Sequence, residues 1–488
     1  MKLKVKQLKF SAGRPVAIIS ESFALKSSIH VDERVILRKN GKSTIAVVDI
    51  AKKLLGEKEV AVSSEIMKEL DLKVGDEVEI EISPKPKSVF LIRKKLACQR
   101  LSRREIEAII KDIVHNALTE AEIAYFVSAI YKCGVSIRET ADMTRAIYET
   151  GQKLNLDKQL IVDKHSIGGI PGRVTPILVS ICAAAGLTIP KTSSRAITTP
   201  AGTADAMEFL TNVEFSVSKL RKIVKKTNAC IVWGGSLGLA PADDKIIQVE
   251  RLLNLDPKPQ MIASIIAKKL AVGARFVLID IPYGKNAKVD KREAENLAKN
   301  FIKISKIFKL KTKCVLTRND EPLGNGIGPA LEIEDVIKVL KREDKCHMLE
   351  DKAVFLSGKL LEMTKKAPLG QGEKLARQIL DSGEAYKKFV EIVEAQGGKI
   401  NRFTEPKFKH TVKAKQSGKI TEVNIRKLNL IARIAGCPLD KLSGILLHKH
   451  LANLVKKGEP LMTIFSQSKS ELEDAVSYCE SENPVTIN

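Results

Sequence analysis

The chain has 488 residues, with 82 Lys and Arg against 58 Asp and Glu, a formal charge of +24 and an apolar fraction of 44%. That length is worth about three domains, and the mixture excludes wholesale disorder, collagen-like sequence and a small disulfide scaffold. No apolar run is long enough to span a bilayer and the N-terminal MKLKVKQLKF has no apolar signal core, so a soluble, cytoplasmic protein is expected.

Residues 1–84 read as β-rich. The runs RPVAIIS, RVILRK, STIAVVDI and DEVEIEI are short, apolar or alternating, and separated by Gly and Asp turns. One short helix is expected at Glu65 to Leu72. This pattern predicts a small β-barrel-like domain. From about residue 88 the period becomes helical, through residues 102–118, 120–134 and 137–151. Ser102 with Glu105 forms a capping-box pattern, and Gly134 and Gly151 are helix stops. A helical domain over 88–156 is expected, joined by helices from about 240–270.

From Leu160 strands alternate with helices. Strand strings such as IVDKHS, LTIPKTSS, ACIVWGG, FVLIDIPYG and CVLTRND are each followed by a helical string. That order implies a mainly parallel sheet in an α/β domain over 157–400, with ligands at the carboxyl ends of its strands. Residues 403–485 are β-rich again around the helix LNLIARIAG. Its VKKGEP turn suits a structural barrel-like module, without an attachment hairpin for a carrier group.

The eight cysteines form no C-x-x-C pair. They read as reduced, mostly buried thiols, and no metal site is expected. The positive charge permits nucleic-acid binding. However, basic residues interleave with acids, aromatics are only 4%, and no nucleic-acid-binding motif appears. The expectation is no nucleic-acid partner and no membrane partner.

Four strings carry candidate chemistry. In DKHSIGGIPGR, Lys164, His165 and Ser166 precede Gly168, Gly169 and Gly172. Glycines let amides approach an anion, so this is either a phosphate loop or a tight structural turn. In KTSSRAITTPAGTAD, the hydroxyls of Thr192, Ser193, Ser194, Thr198, Thr199 and Thr203 accompany Arg195. They suit a phosphate, or a polar loop in which Thr203 caps a helix. Asp256 before Pro257 reads as a helix N-cap or a site acid. Ser264 and Lys268, four apart, share a face of that helix. Lys288 closes the loop after the strand at Asp280, as a phosphate ligand or a solvated lysine.

Taken together, these strings resemble the thymidine and pyrimidine-nucleoside phosphorylase family. DKHSIGG is similar to the family's DKHSTGG, and SSRAITTPAGT to its S-G-R-G-x-x-x-T-G-G-T. LAPADDK at Leu239 to Lys245, ASIIAKKLA at Ala263 to Ala271, LGNGIGPALE, EAQGG and the tail GILLHKHLANLVKKGEP also match. The extra N-terminal domain and the variants KTSSRAIT, PAGTADAME and VWGG are similar to the archaeal AMP phosphorylase branch. The pyrimidine-holding Arg of the nucleoside enzymes falls here on Val249 or Glu250.

The resemblance implies phosphorolysis of nucleoside 5′-monophosphates (AMP, and CMP and UMP with it) to a free base and ribose 1,5-bisphosphate. Phosphate is a co-substrate and no cofactor is needed. The alternative is phosphorolysis of unphosphorylated nucleosides. Asp256 is the implied general acid. Gly168, Ser194, Arg195, Ala196, Ile197, Thr198, Thr199, Thr203, Ser264 and Lys288 are the implied nucleotide contacts. Lys164, Ser166 and Ser193 are expected to hold phosphate, with His165 and Lys268 on the base side. The family also implies a homodimer through the helical domain, larger assembly through the N-terminal domain, and closure of the helical and α/β domains over the substrates.

Overall fold

A computed structural model describes residues 1–8, 10–157, 160–196, 199–343, 347–400 and 403–488. They form two compact units, Met1–Gly151 with Ala240–Ser264, and Gln152–Leu239 with Ile265–Asn488.

The first unit begins with a closed barrel. Its strands are β1 (Lys2–Gln7), β2 (Val16–Ser20), β3 (Arg34–Lys39), β4 (Lys42–Ala51), β5 (Glu59–Val62) and β6 (Glu77–Ile82), in the order β1-β5-β2-β4-β3-β6. Alternation sends Leu3, Val5, Val35, Leu37, Val78 and Ile80 into one core. Closure leaves no free sheet edge. The helix here spans Ser64–Glu69, shorter than the sequence suggested, and a second lies at Glu21–Ser27.

Three helices of the bundle, Arg103–Val114, Glu120–Cys133 and Ile137–Thr150, each start with a capping box. The expected Ser102–Glu105 pair is one of them, and Gly134 and Gly151 hold the C-caps of the second and third. The later helix Pro241–Leu253 is tied in by Lys245, whose Nζ donates to the carbonyls of Ile113 (2.9 Å) and Val114 (2.7 Å) and to Asn116 Oδ1. Those carbonyls close a helix C-terminus, where a cation is favoured. One expectation is corrected here: Cys98 and Cys133 are joined in a disulfide, not free thiols. The two cysteines follow and end separate helices, and 35 residues of sequence hid their proximity.

The second unit is built on parallel strands. Strands β7 (Val162–Ser166), β10 (Phe276–Tyr283) and β11 (Lys311–Arg318) form one sheet in the order β11-β10-β7. Strands β8 (Ile189–Ser193) and β9 (Ala229–Trp233) pair in parallel, and a parallel bridge from Ile161 to Thr188 joins the two sets. Helices cover the strands, which explains their near-continuous apolar runs. The crossover helix Val174–Ala184 is buried from Val174 to Cys182 and beyond, at the centre of the largest core. The C-terminal module sets the helices Ile425–Ile434 and Lys469–Glu482 against small antiparallel sheets. The chain is thus a multidomain α/β protein with a barrel, a helical bundle, a parallel-sheet domain and a β-rich C-terminal module. Among the described residues, no helix is long and apolar enough to cross a membrane.

Candidate functional site

The carboxyl end of β7 carries Lys164, His165 and Ser166 into the glycine loop. Gly168, Gly169 and Gly172 have φ of +85°, +97° and +113°, a region that disfavours side chains. Gly172 also lies where a Cβ would come within 2.8 Å of Leu323 Cβ. The loop is pinned from beneath. Glu332, fully buried, accepts the Gly172 N–H at 3.0 Å and the Arg173 Nε–H. Lys288, exposed at its own position, runs alongside: a Cβ on Gly169 would sit 3.6 Å from Lys288 Cβ.

Beneath this loop lies a buried charge cluster that sequence reasoning found only in part. Asp163 accepts from Lys269 Nζ at 2.7 Å, with Lys191 Nζ at 3.8 Å. Asp280 on β10 is ion-paired with Lys352 at 3.0 Å. Lys164, Lys191, Lys269 and Lys352 are all buried, as are the two aspartates. Four ammonium groups therefore face two carboxylates. Desolvation disfavours the surplus charge. Burial pushes Lys164 down to about 8, against the attraction of Asp280. Burial and the neighbouring Lys269 push Lys191 down to about 7. Burial, with Lys269, Lys191, Lys164 and Lys268 around the ring, holds His165 well below the ordinary imidazole value. His165 is therefore a neutral wall, not a cationic ligand. A buried surplus of this sign suits a dianion.

The loop after β8 adds hydroxyls. Thr192 Oγ1 and Ser193 Oγ are buried with no hydrogen-bond partner among the described residues. Such atoms are rare without a ligand or water to satisfy them. Ser194 is exposed, and the chain folds back tightly: a Cβ on Gly202 would lie 2.4 Å from the Ser194 carbonyl oxygen. Asp205 gathers the loop by accepting the N–H of Ala196 (2.6 Å) and of Gly202 (2.8 Å). Thr199 Oγ1 donates to the Ala201 carbonyl at 2.7 Å.

Two sequence expectations change here. Thr203 is not a helix cap: it is the first residue of Thr203–Met207, and Gly202 holds the N-cap place. Arg195 is not free to serve a phosphate through its guanidinium. It donates to Asp205 (3.2 Å), twice to Glu208 (2.9 and 2.8 Å) and to Glu214 (2.8 Å), and lies 4.8 Å above the Trp233 ring. It braces the loop instead. Ile197 and Thr198 lie outside the described residues.

The remaining candidates, Asp256, Ser264 and Lys268, lie just before and on the helix Lys258–Ala271, whose residues divide between the two units after Ser264. It starts later than the sequence suggested. The Pro257 carbonyl accepts the Met261 N–H at 3.0 Å, so Asp256 precedes the cap and is exposed. Ser264 is buried and Lys268 half-buried. Asp256 and Ser264 belong to the first unit, and Lys268 to the second with the phosphate-loop residues. No group of three metal-ligating side chains occurs among the described residues.

A pH dependence follows from the lysines. Their folded-state values lie below the ordinary lysine value, so the chain alone loses stability as pH falls toward and through about 8 and 7. A bound dianion reverses that loss. Inorganic phosphate is expected to raise the thermal midpoint by several degrees at pH 6.5 and by clearly less at pH 9, measured by differential scanning fluorimetry. Equal shifts at both pH values would sink the assignment of these lysines to anion binding.

Comparison with known proteins shows the family and the fold. Residues 158–386 match the glycosyl transferase family a/b domain. Residues 90–151 match that family's helical bundle domain, and residues 419–485 match the pyrimidine nucleoside phosphorylase C-terminal domain. The crystal structure of anthranilate phosphoribosyltransferase from Thermus thermophilus shares the fold, with a TM-score of 0.53 and 18% identity over 63% of this chain and 99% of that one. AMP phosphorylase of Methanococcus vannielii is 41% identical over 99% of this chain and 97% of its own. Those of Thermococcus sibiricus and Pyrococcus furiosus are 42% and 41% identical over 100% of this chain and 98% of theirs. Similarity of that extent, over barrel, bundle, α/β domain and C-terminal module alike, means that the chain belongs to the AMP phosphorylase family.

Proposed function

We propose that the chain catalyses the phosphorolysis of AMP, giving adenine and ribose 1,5-bisphosphate, and accepts CMP and UMP as well. The observation that carries this is the buried lysine surplus beside the glycine loop, with two hydroxyls unpartnered among the described residues, in a chain about 41% identical end to end to AMP phosphorylases. Phosphate is held by Lys164, Ser166 and Ser193. The nucleotide lies against Gly168, the Ser194 to Thr199 loop, Thr203 and Ser264, and Lys288 takes its 5′-phosphate. His165 and Lys268 face the base.

A phosphate oxygen attacks C1′ as the C1′–N bond breaks, and the bonding pair leaves with the base. A base anion leaves poorly, so Asp256 protonates it as general acid. The proton that the phosphate sheds in forming the ester returns Asp256 to its acid form, so no net proton is consumed. Phosphate is the only co-reactant, and no cofactor takes part. The chain works in the cytoplasm, in nucleotide salvage and degradation, as a homodimer or larger assembly.

The test incubates the protein with AMP and phosphate, and separately with adenosine, uridine and thymidine and phosphate. Free base is followed by chromatography and sugar phosphate by phosphorus NMR. Adenine release from AMP alone, with a bisphosphorylated sugar, is the expected result. Base release from the unphosphorylated nucleosides instead would overturn the reading and leave Lys288 without a role.

A further inference from the structure

We propose that Asp280 makes the phosphate site read a proton on the anion, so that it selects phosphate over sulfate. This rests on the phosphate site proposed above. Ser166 has one hydroxyl proton, and its Oγ donates to Asp280 Oδ2 at 3.1 Å. The other carboxylate oxygen, Oδ1, is filled by Thr317 Oγ1 at 2.8 Å and by Lys352 Nζ at 3.0 Å. Lys352 Nζ donates to Thr317 Oγ1 and reaches Asn319 Oδ1 at 3.3 Å, which fixes that side of the carboxylate.

Asp280 is 2% exposed. If Ser166 turned its proton away, Oδ2 would lose its side-chain hydrogen bond in a buried position, which is costly. Ser166 therefore keeps its proton on Asp280 and offers a lone pair outward. A lone pair is an acceptor. It welcomes the P–O–H of a singly protonated phosphate and repels the bare oxygens of sulfate. The lysines supply charge for either dianion, so charge alone does not separate them. Asp280 does not touch the anion; it is a positioning residue acting through Ser166.

The direction of the Ser166 hydrogen bond can be reversed by one substitution. In Asp280→Asn, the carbonyl oxygen of the new side chain stays with the donors Lys352 and Thr317, and its amide turns an N–H toward Ser166. Ser166 then accepts from that amide and donates outward, which suits sulfate. Binding of inorganic phosphate, arsenate and sulfate is measured by isothermal titration at pH 8 on the full chain. The same anions are tested as competitors of phosphate in the phosphorolysis assay. The native chain is expected to prefer phosphate and arsenate over sulfate by at least about tenfold. Asp280→Asn is expected to narrow that ratio by about tenfold, mainly through tighter sulfate.

Ser166→Ala removes the lone pair without burying a new group and is expected to narrow the ratio too. It decides the matter if Asp280→Asn does not fold. A ratio near one in the native chain, or an unchanged ratio in the folded variants, overturns the proposal while leaving the phosphate site standing. Failure of the native chain to bind any of the three anions overturns the site itself and the proposal with it.

Discussion

Lys269→Met is expected to cost the second unit about 3–5 kcal/mol of stability. The Lys269 ammonium and the Asp163 carboxylate are 2% and 0% exposed, with Nζ and Oδ2 2.7 Å apart. Asp163 Oδ1 is already used by the Lys164 N–H at 2.7 Å. Methionine fills the volume but leaves the carboxylate with Lys191, 3.8 Å away, as its remaining cation. Breaking a buried pair from one side strands a charge, and that is what makes the cost large. Lys285→Met is the control. Its pair with Glu422 is 2.9 Å long, but the lysine is 72% exposed, so its loss is expected to stay within about 0.5 kcal/mol. Both are read from urea unfolding followed by fluorescence of Trp233, which lies in the second unit. A Lys269→Met loss below the control would mean that Lys191 alone satisfies Asp163.

Asp256→Asn is expected to lower turnover of AMP by about 10²- to 10⁴-fold, the usual worth of a positioned general acid. Asp256 is exposed and lies before the helix cap, so the thermal midpoint is expected to stay within about 1 °C of the native value. AMP binding measured without phosphate is expected to hold within a few-fold. A nucleotide whose base leaves without protonation should lose much less activity in the variant than AMP does. Near-native turnover of AMP would remove Asp256 from the acid role.

What the sequence showed clearly was local. The capping box at Ser102 and Glu105, the glycine stops, and the strands around Lys164 and Ser193 each depend on residues a few positions apart. The glycine run at Gly168, Gly169 and Gly172 is also local, and all three glycines have positive φ in the structure. What stayed hidden depends on contacts between helices and strands far apart in the chain. Lys269 meets Asp163 across 106 residues, and Lys352 reaches Thr317 beside Asp280 across 35. A lysine in an amphipathic helix looks like any solvated lysine until its partner's position is known. The carboxylate partners of Arg195 were hidden for the same reason. Its hydroxyl-rich surroundings suggested a phosphate, while the carboxylates that hold it lie 10, 13 and 19 residues on. The strand Lys2–Gln7 escaped notice because lysines alternate with its inward apolar positions, and Glu59–Val62 because it is only four residues long.

The first unit is made from two separated stretches, Met1–Gly151 and Ala240–Ser264. This sets an order on biosynthesis. When the third bundle helix leaves the ribosome, the helix carrying Lys245 does not yet exist. The intervening 88 residues, 152 to 239, must be made first, which takes roughly 4–18 s at typical elongation rates. The barrel, closed upon itself within the first 82 residues, can fold during that interval. The bundle cannot be completed, and the carbonyls of Ile113 and Val114 wait for their cap. A nascent chain stalled before residue 240 should therefore present a protease-resistant barrel followed by a cleavable bundle.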